Sequence, residues 1–169
     1  MDIFLPDIFL ESVYKIDIQM LKDNNIKGLI LDVDNTLVAQ YIKNPDERLI
    51  NWIDTNKKND IKMCIVSNGS PKRVQEFNKN LNLPIISKAK KPLKKGFLKA
   101  LEIMGLEKDQ VAVVGDQLLT DVLGGNRLNM LTILVKRIDP KEEVLVQLKR
   151  YIEKAILMIT KKSKTINHI

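Results

Sequence analysis

The stretch Gly28-Leu-Ile-Leu-Asp32-Val-Asp34-Asn-Thr36 decides the fold. An unbroken aliphatic run ends in two carboxylates spaced two apart, with a threonine behind them. Apolar character without polar alternation is the mark of a strand buried on both faces. Such strands belong to parallel sheets covered by helices on either side. Ligands of these sheets sit beyond the carboxyl ends of the strands, where Asp32 and Asp34 fall.

Downstream the same grammar repeats. Met63-Cys-Ile-Val66, Pro84-Ile-Ile86, Val111-Ala-Val-Val114 and Leu131-Thr-Ile-Leu-Val135 read as the second to fifth strands. Helix-period segments separate them. Asn44 is read as an N-cap with Pro45 at the first helical position and Glu47 closing a capping box, and Ser70-Pro71 repeats the device. Ile50, Trp52 and Ile53 follow on the first of these helices and are assigned to the core. Phe97, Leu98, Leu101 and Met104 recur along 93–104, and Gly105 stops that helix. Asp139-Pro140 and Glu142 cap a long final helix over about 140–160. The expectation is one α/β domain over 1–169, a doubly wound, Rossmann-like parallel sheet of five strands. Its core covers about 26–137, and a basic tail occupies 161–169.

Every polar cluster lands at the carboxyl end of one of these strands. Ser67-Asn68-Gly69 follows the second and Lys88-Ala-Lys90-Lys91-Pro92 the third. Gly115-Asp116 and Asp121 follow the fourth. Carboxylates crowded at one edge repel each other unless a cation holds them. Hard oxygen donors without a nearby histidine favour Mg²⁺ over zinc. These four elements, in this order, resemble the haloacid dehalogenase-like superfamily, whose signature is Asp-x-Asp-x-Thr, then Ser or Thr, then Lys, then an Asp-rich motif. The match covers Gly28 to Asp121 and extends to about Val135. Asp-Val-Asp-Asn-Thr-Leu, Val-Ser-Asn-Gly-Ser, Lys-Lys-Pro and Gly-Asp-Gln-Leu-Leu-Thr-Asp are similar to the YqeG-type (IIIA) subfamily. That subfamily is related to the phosphatidylglycerophosphate phosphatases of mitochondria and plastids.

The resemblance implies a role for each residue. Asp32 attacks phosphorus, the carboxylate form of covalent catalysis. Asp34 protonates the leaving alkoxide and then takes a proton from water. Ser67, Asn68 and Lys91 bind the phosphoryl group, Lys91 also neutralising its charge; Lys88 and Lys90 are its rivals. Mg²⁺ is held by the Asp32 carboxylate, the Asp34 carbonyl and Asp116, with Asp121 orienting that shell directly or through water. Asp34 favours a phosphatase over a dehalogenase or a P-type ATPase, which lack Asp there.

The bulk numbers narrow the substrate. With 44% hydrophobic and 29% charged residues, the 169-residue chain is an ordinary globular domain. Its one cysteine, Cys64, lies in an apolar strand and is expected to be an inert core residue. No disulfide framework is possible, which points to the cytoplasm. The acidic N-terminus is unlike a signal peptide, and no apolar run is long enough to cross a bilayer. Thirty residues between Thr36 and Ser67 and twenty-three between Ser67 and Lys91 leave no room for a cap domain. The site is therefore expected to be open. Net charge is +7, and from Lys136 onward nine Lys and Arg stand against four Asp and Glu. An open site, a basic end and an apolar N-terminal segment suit a phosphate on a lipid headgroup, with peripheral contact at the inner membrane face. Val144, Leu145, Leu148 and Ile152, with Lys149, Arg150 and Lys154 among them, give the final helix a pattern that suits either packing on the sheet or resting on anionic lipid.

The preferred reaction is hydrolysis of phosphatidylglycerophosphate. The alternative substrates are a nucleotide, a sugar phosphate or a phosphoprotein. A reading of another class is an RNA or ribosome binding module, which the lack of aromatic stacking platforms disfavours. Gly124 and Gly125 are assigned to close packing, Asn129 to a left-handed turn, and His168 to no chemical role.

Overall fold

The computed structural model describes residues 3–139 of the chain. The final helix, the basic tail and His168 lie outside the described residues. The sheet has six strands rather than five: β1 (Ile8–Leu10), β2 (Gly28–Leu31), β3 (Lys62–Val66), β4 (Ile85–Ile86), β5 (Val111–Gly115) and β6 (Leu131–Val135). Their order is β1-β6-β5-β2-β3-β4, and every pairing is parallel. The sheet thus lies where the sequence places it, with one strand added at an edge.

That added strand places the apolar N-terminal segment at an edge of the sheet, beside β6. Ile8 and Leu10 pack against the core while Phe9, 59% exposed, points away. Asp7 fastens the strand: its Oδ2 accepts from the Thr132 backbone N–H at 2.8 Å and from the Thr132 hydroxyl at 2.9 Å. A three-residue strand carries too little periodicity to be read beforehand.

Side chains alternate across the pleat, so the two faces bury different sets. Leu29, Leu31, Met63, Ile65, Ala112 and Val114 face one cluster. It is completed by α1 (Ile18–Asp23), α2 (Glu47–Lys58) and α3 (Pro71–Asn78) through Leu21, Leu49, Ile53, Val74 and Phe77. Ile30, Cys64, Val66 and Val113 face the other, closed by α4 (Lys94–Met104) through Phe97, Ala100, Leu101 and Met104. β2, buried along its whole length, lies between both halves. The chain turns to opposite sides of it, toward β3 and toward β5, and such a reversal opens a crevice at the strand ends.

Local chemistry moved some boundaries. α2 begins after Asp46, not Asn44: the Asp46 carboxylate accepts from the Leu49 N–H at 2.8 Å. An ionised acceptor at a helix N-terminus is the stronger cap. Ser70 caps α3 by accepting from the Arg73 N–H, and Pro71 follows at the first position. Trp52 is half-buried against the first cluster, and its indole N–H reaches the Ile16 carbonyl at 3.4 Å. Leu98 departs from its core assignment and is exposed, because it falls outside the 97, 100, 101, 104 stripe. Gly105 ends α4 at φ 61°, and Asn129 takes φ 56°, both left-handed. Gly124 lets the short helix α5 (Leu123–Asn126) lie on α4: a methyl there would stand 2.4 Å from the Phe97 ring.

Candidate active site

Four strand ends deliver the polar residues to one hollow of about 260 Å³, lined by Asp32, Asp34, Ser67, Asn68, Lys91 and Thr120 among others. After β2 the chain folds tightly: the Thr36, Leu37 and Val38 amides all donate to the Val33 carbonyl. Asn35 takes a left-handed φ of 65° to allow this turn. Asp32 and Asp34 are thereby aimed into the same space. Another hollow, of about 420 Å³, lies at the opposite edge among Lys57, Met63, Leu83 and Met104. It is larger but holds no convergent set of reactive groups.

At the floor of the first hollow sits a charge cluster. Lys91 Nζ donates to Asp32 Oδ1 and to Asp121 Oδ1, each at 2.6 Å. All three residues are buried. Asp116 is buried beside them and accepts from the Thr36 hydroxyl at 3.3 Å. Asp121 is further held by the Gln117 N–H at 3.3 Å and the Thr120 hydroxyl at 3.2 Å. Those donors come from a π-helical turn, Leu118–Val122, a form that recurs at functional sites. Gly115 makes room for it, since a methyl at that position would stand 2.2 Å from the Asp121 carboxyl carbon.

The cluster fits a cation. Asp32, Asp116 and Asp121 can each turn a carboxylate oxygen to within 4.8 Å of the others. Three buried carboxylates face one buried ammonium, so negative charge is in excess. Burial, opposed by Lys91 but helped by Asp121 and Asp34, pushes the Asp32 carboxyl up to about 6. Burial pulls the Lys91 ammonium down, but Asp121 and then Asp32 outweigh it and hold its pKa above the usual lysine value. The cluster relieves itself by a proton or by a metal.

Lys91 alone of the three candidate lysines reaches the floor; Lys88 and Lys90 are exposed, each on left-handed backbone at φ 47° and 55°. Asn68 holds Lys91 in place: its Oδ1 accepts from the Lys91 N–H at 2.7 Å and its Nδ2 donates to the Lys91 carbonyl at 3.3 Å. The residue expected to touch substrate thus has a second task, on the backbone of the lysine. Ser67 is buried, and its hydroxyl oxygen accepts from the Gly69 N–H at 3.0 Å.

Arg73 was not anticipated. From the first turn of α3 it donates to Asp34 Oδ1 through Nη2 at 2.9 Å and Nε at 3.3 Å. One signal for it does exist in the sequence. A cation in the first turn of a helix opposes the dipole and calls for a partner.

Comparison with known proteins supplies a family. Residues 1–138 match the family described as mitochondrial PGP phosphatase. The chain is 43% identical to the Bacillus subtilis (strain 168) protein named Probable phosphatase YqeG, over 94% of this chain and 92% of that one. It is 28% identical to phosphatidylglycerophosphate phosphatase 1, chloroplastic/mitochondrial, of Arabidopsis thaliana, over 97% of this chain and 51% of that one. Among solved structures, an uncharacterised protein of Listeria monocytogenes serotype 4b superposes with a TM-score of 0.55 at 17% identity, covering 80% of this chain and 99% of that one. The cobalt-bound deoxy-D-mannose-octulosonate 8-phosphate phosphatase of Haemophilus influenzae gives 0.52 at 18%, covering 83% and 92%. These two likenesses concern the fold.

Proposed function

The chain belongs to the mitochondrial PGP phosphatase family, within the haloacid dehalogenase-like superfamily, and is a phosphatase; from that premise we propose that it hydrolyses phosphatidylglycerophosphate through an aspartyl-phosphate on Asp32. The observation that supports this most is the buried Lys91 bridge between Asp32 and Asp121, set at the floor of a hollow that also receives Asp34.

An Asp32 carboxylate oxygen attacks phosphorus, a new O–P bond forms, and the bond from phosphorus to the leaving alkoxide breaks. Asp34 gives its proton to that alkoxide. Water then attacks phosphorus with Asp34 taking the proton, the Asp32 O–P bond breaks, and inorganic phosphate leaves. Lys91 neutralises phosphoryl charge throughout, and Ser67 donates its hydroxyl to a phosphoryl oxygen. Asp32, Asp116, Asp121 and the Asp34 carbonyl suit a hard, oxygen-coordinated ion, and Mg²⁺ bound there offsets the charge of the carboxylates and of the phosphoryl oxygens. The headgroup assignment draws on the two plastid or mitochondrial relatives, each named a phosphatidylglycerophosphate phosphatase.

The test is turnover. Asp32→Asn should keep its fold by circular dichroism and lose hydrolysis of both a soluble aryl phosphate and vesicle-borne phosphatidylglycerophosphate. Wild-type activity should vanish on chelation and return with Mg²⁺. Full activity in Asp32→Asn removes the nucleophile assignment. Inertness toward the lipid alone removes the substrate.

A further inference from the structure

The catalytic edge carries an unusual outer ring. Tyr41, Ile42, Leu93 and Ile138 are all large, apolar and exposed, Tyr41 to 71% and Leu93 to 53%. Each follows a strand at the carboxyl edge of the sheet; the loops of Tyr41, Ile42 and Leu93 also line the hollow, and that of Ile138 is bonded to Asn35, which lines it. Tyr41 and Ile42 follow Gln40, which lines it. The Ile42 N–H donates to the Ala39 carbonyl, so this turn is closed. Leu93 stands two residues past Lys91, its N–H on the Lys90 carbonyl at 2.9 Å. The Ile138 N–H donates to the Asn35 carbonyl at 3.2 Å, next to Asp34. These side chains are exposed on anchored backbone rather than on loose ends.

Cations accompany them. Lys43, Lys88 and Lys90 are exposed on the same loops and Lys94 and Lys95 on the helix that follows Leu93; Asp46 is the exposed carboxylate of these loops. Lys94 and Lys95 occupy the first turn of α4, which has no acidic residue there. The helix dipole disfavours lysines at that position, so their presence is not explained by the helix itself. Apolar side chains among lysines, ringing a site whose own charge is internal, complement the boundary between anionic headgroups and acyl chains.

We propose that this ring of Tyr41, Ile42, Leu93 and Ile138 with its lysines is the surface by which the enzyme docks on an anionic lipid bilayer, the catalytic hollow facing the membrane. This rests on the lipid-headgroup reading above and adds the partner surface to it. It adds the catalytic face to the basic C-terminal segment, which lies outside the described residues, as a place of membrane contact. A substrate phosphate then enters the hollow from the surface that holds the enzyme, and the headgroup need not leave the bilayer plane by more than the depth of the site.

The experiment uses the full-length chain and co-sedimentation with two vesicle types, pure phosphatidylcholine and phosphatidylcholine with about a third phosphatidylglycerol. The wild type should bind the second far better than the first, and salt should release it. The variant Tyr41→Ser/Ile42→Ser/Leu93→Ser/Ile138→Ser should bind at least about tenfold more weakly. Lys94→Gln/Lys95→Gln should lose about fivefold per lysine. Ser is a good N-cap at 93 and Gln relieves the α4 dipole, so neither variant threatens the fold. Ile103→Ser, an equally exposed position on the C-terminal turn of α4, is the control and should bind as the wild type does. All three variants should hydrolyse a soluble aryl phosphate at the wild-type rate. The surface is overturned if the wild type ignores anionic vesicles, as it would if the ring served a protein partner, or if the ring variants bind undiminished. Aryl phosphate hydrolysis without vesicle binding would remove this surface and leave the phosphatase chemistry standing. Ring-dependent binding without hydrolysis would do the reverse.

Discussion

Arg73 and Asp34 form an ion pair between two elements, and its geometry has a kinetic meaning. Both Nε and Nη2 converge on one oxygen, Oδ1, leaving the second carboxylate oxygen of the proposed acid and base outside that pair. The remaining guanidinium nitrogen, Nη1, is buried without a partner, so the side chain is placed by packing and by Asp34. Removing it should loosen Asp34 without touching phosphate binding. Arg73→Ala is expected to lower kcat roughly tenfold with a smaller change in KM, and Arg73→Lys to restore part of the loss. Steady-state kinetics on an aryl phosphate would check this; a rise in KM at unchanged kcat would make Arg73 a substrate ligand instead. The pair joins residues 39 apart in sequence, so a cation in the first turn of α3 could signal the need for a partner but not which partner it takes. Asp32, by contrast, stands in a motif legible from its neighbours. Cys64 was also legible as inert: burial pushes its thiol up to about 12, so almost no thiolate exists at neutral pH.

At the scale of elements, the link between β5 and the π-helical turn is the tightest fit in the site. Gly115→Ala would drive a methyl into Asp121 and displace one of the two carboxylates that hold Lys91. It should cost about 1–3 kcal/mol, as overpacking does, and also abolish most activity. Gly124→Ala, which meets Phe97 instead, should cost a similar amount yet leave turnover per folded molecule near normal. Urea melts and active-site kinetics on the two variants separate these outcomes; equal loss of activity in both would show that Gly115 acts through the core alone. The strands β2, β3, β5 and β6 could be read from sequence because continuous aliphatic runs have no other stable home. β1 could not, since its hold on the sheet comes from Asp7 gripping Thr132, 125 residues away. The start of α2 was missed because Asn44-Pro45 and Asp46 both make sound caps two residues apart, and the stronger acceptor, Asp46, took the role. Lys91 could be preferred to Lys88 and Lys90 because it stands directly before proline, as the lysine of similar sequences does; the left-handed turns at the other two are not visible in the sequence.

For the whole molecule, the buried charge cluster ties stability to pH and to metal. In the folded protein burial holds the Asp32 carboxyl at about 6, above its ordinary value of 3.8. The folded state therefore holds a proton that the unfolded state releases. The stabilising contribution is complete below about 3.8 and disappears as pH rises through about 6. In chelator at pH 7.5 wild type keeps an ionised, poorly compensated carboxylate, at a cost of about 3 kcal/mol by the size of the shift. Asp32→Asn should then melt above the wild type, the gap should narrow toward pH 5, and Mg²⁺ should raise the wild type alone or by more. Thermal melts across this range would check it, and a less stable Asp32→Asn protein in chelator would mean that the Lys91 pair is net stabilising. The span of these same contacts carries one more consequence. Lys91 meets Asp32 across 59 residues and Asp121 across 30, and Thr36 meets Asp116 across 80. Contacts so distant along the chain close late, after the loops between them have been ordered. Catalytic competence thus requires the ends of β2 and β5 and the Lys91 loop to be brought together, and the return of activity after dilution from denaturant times that assembly.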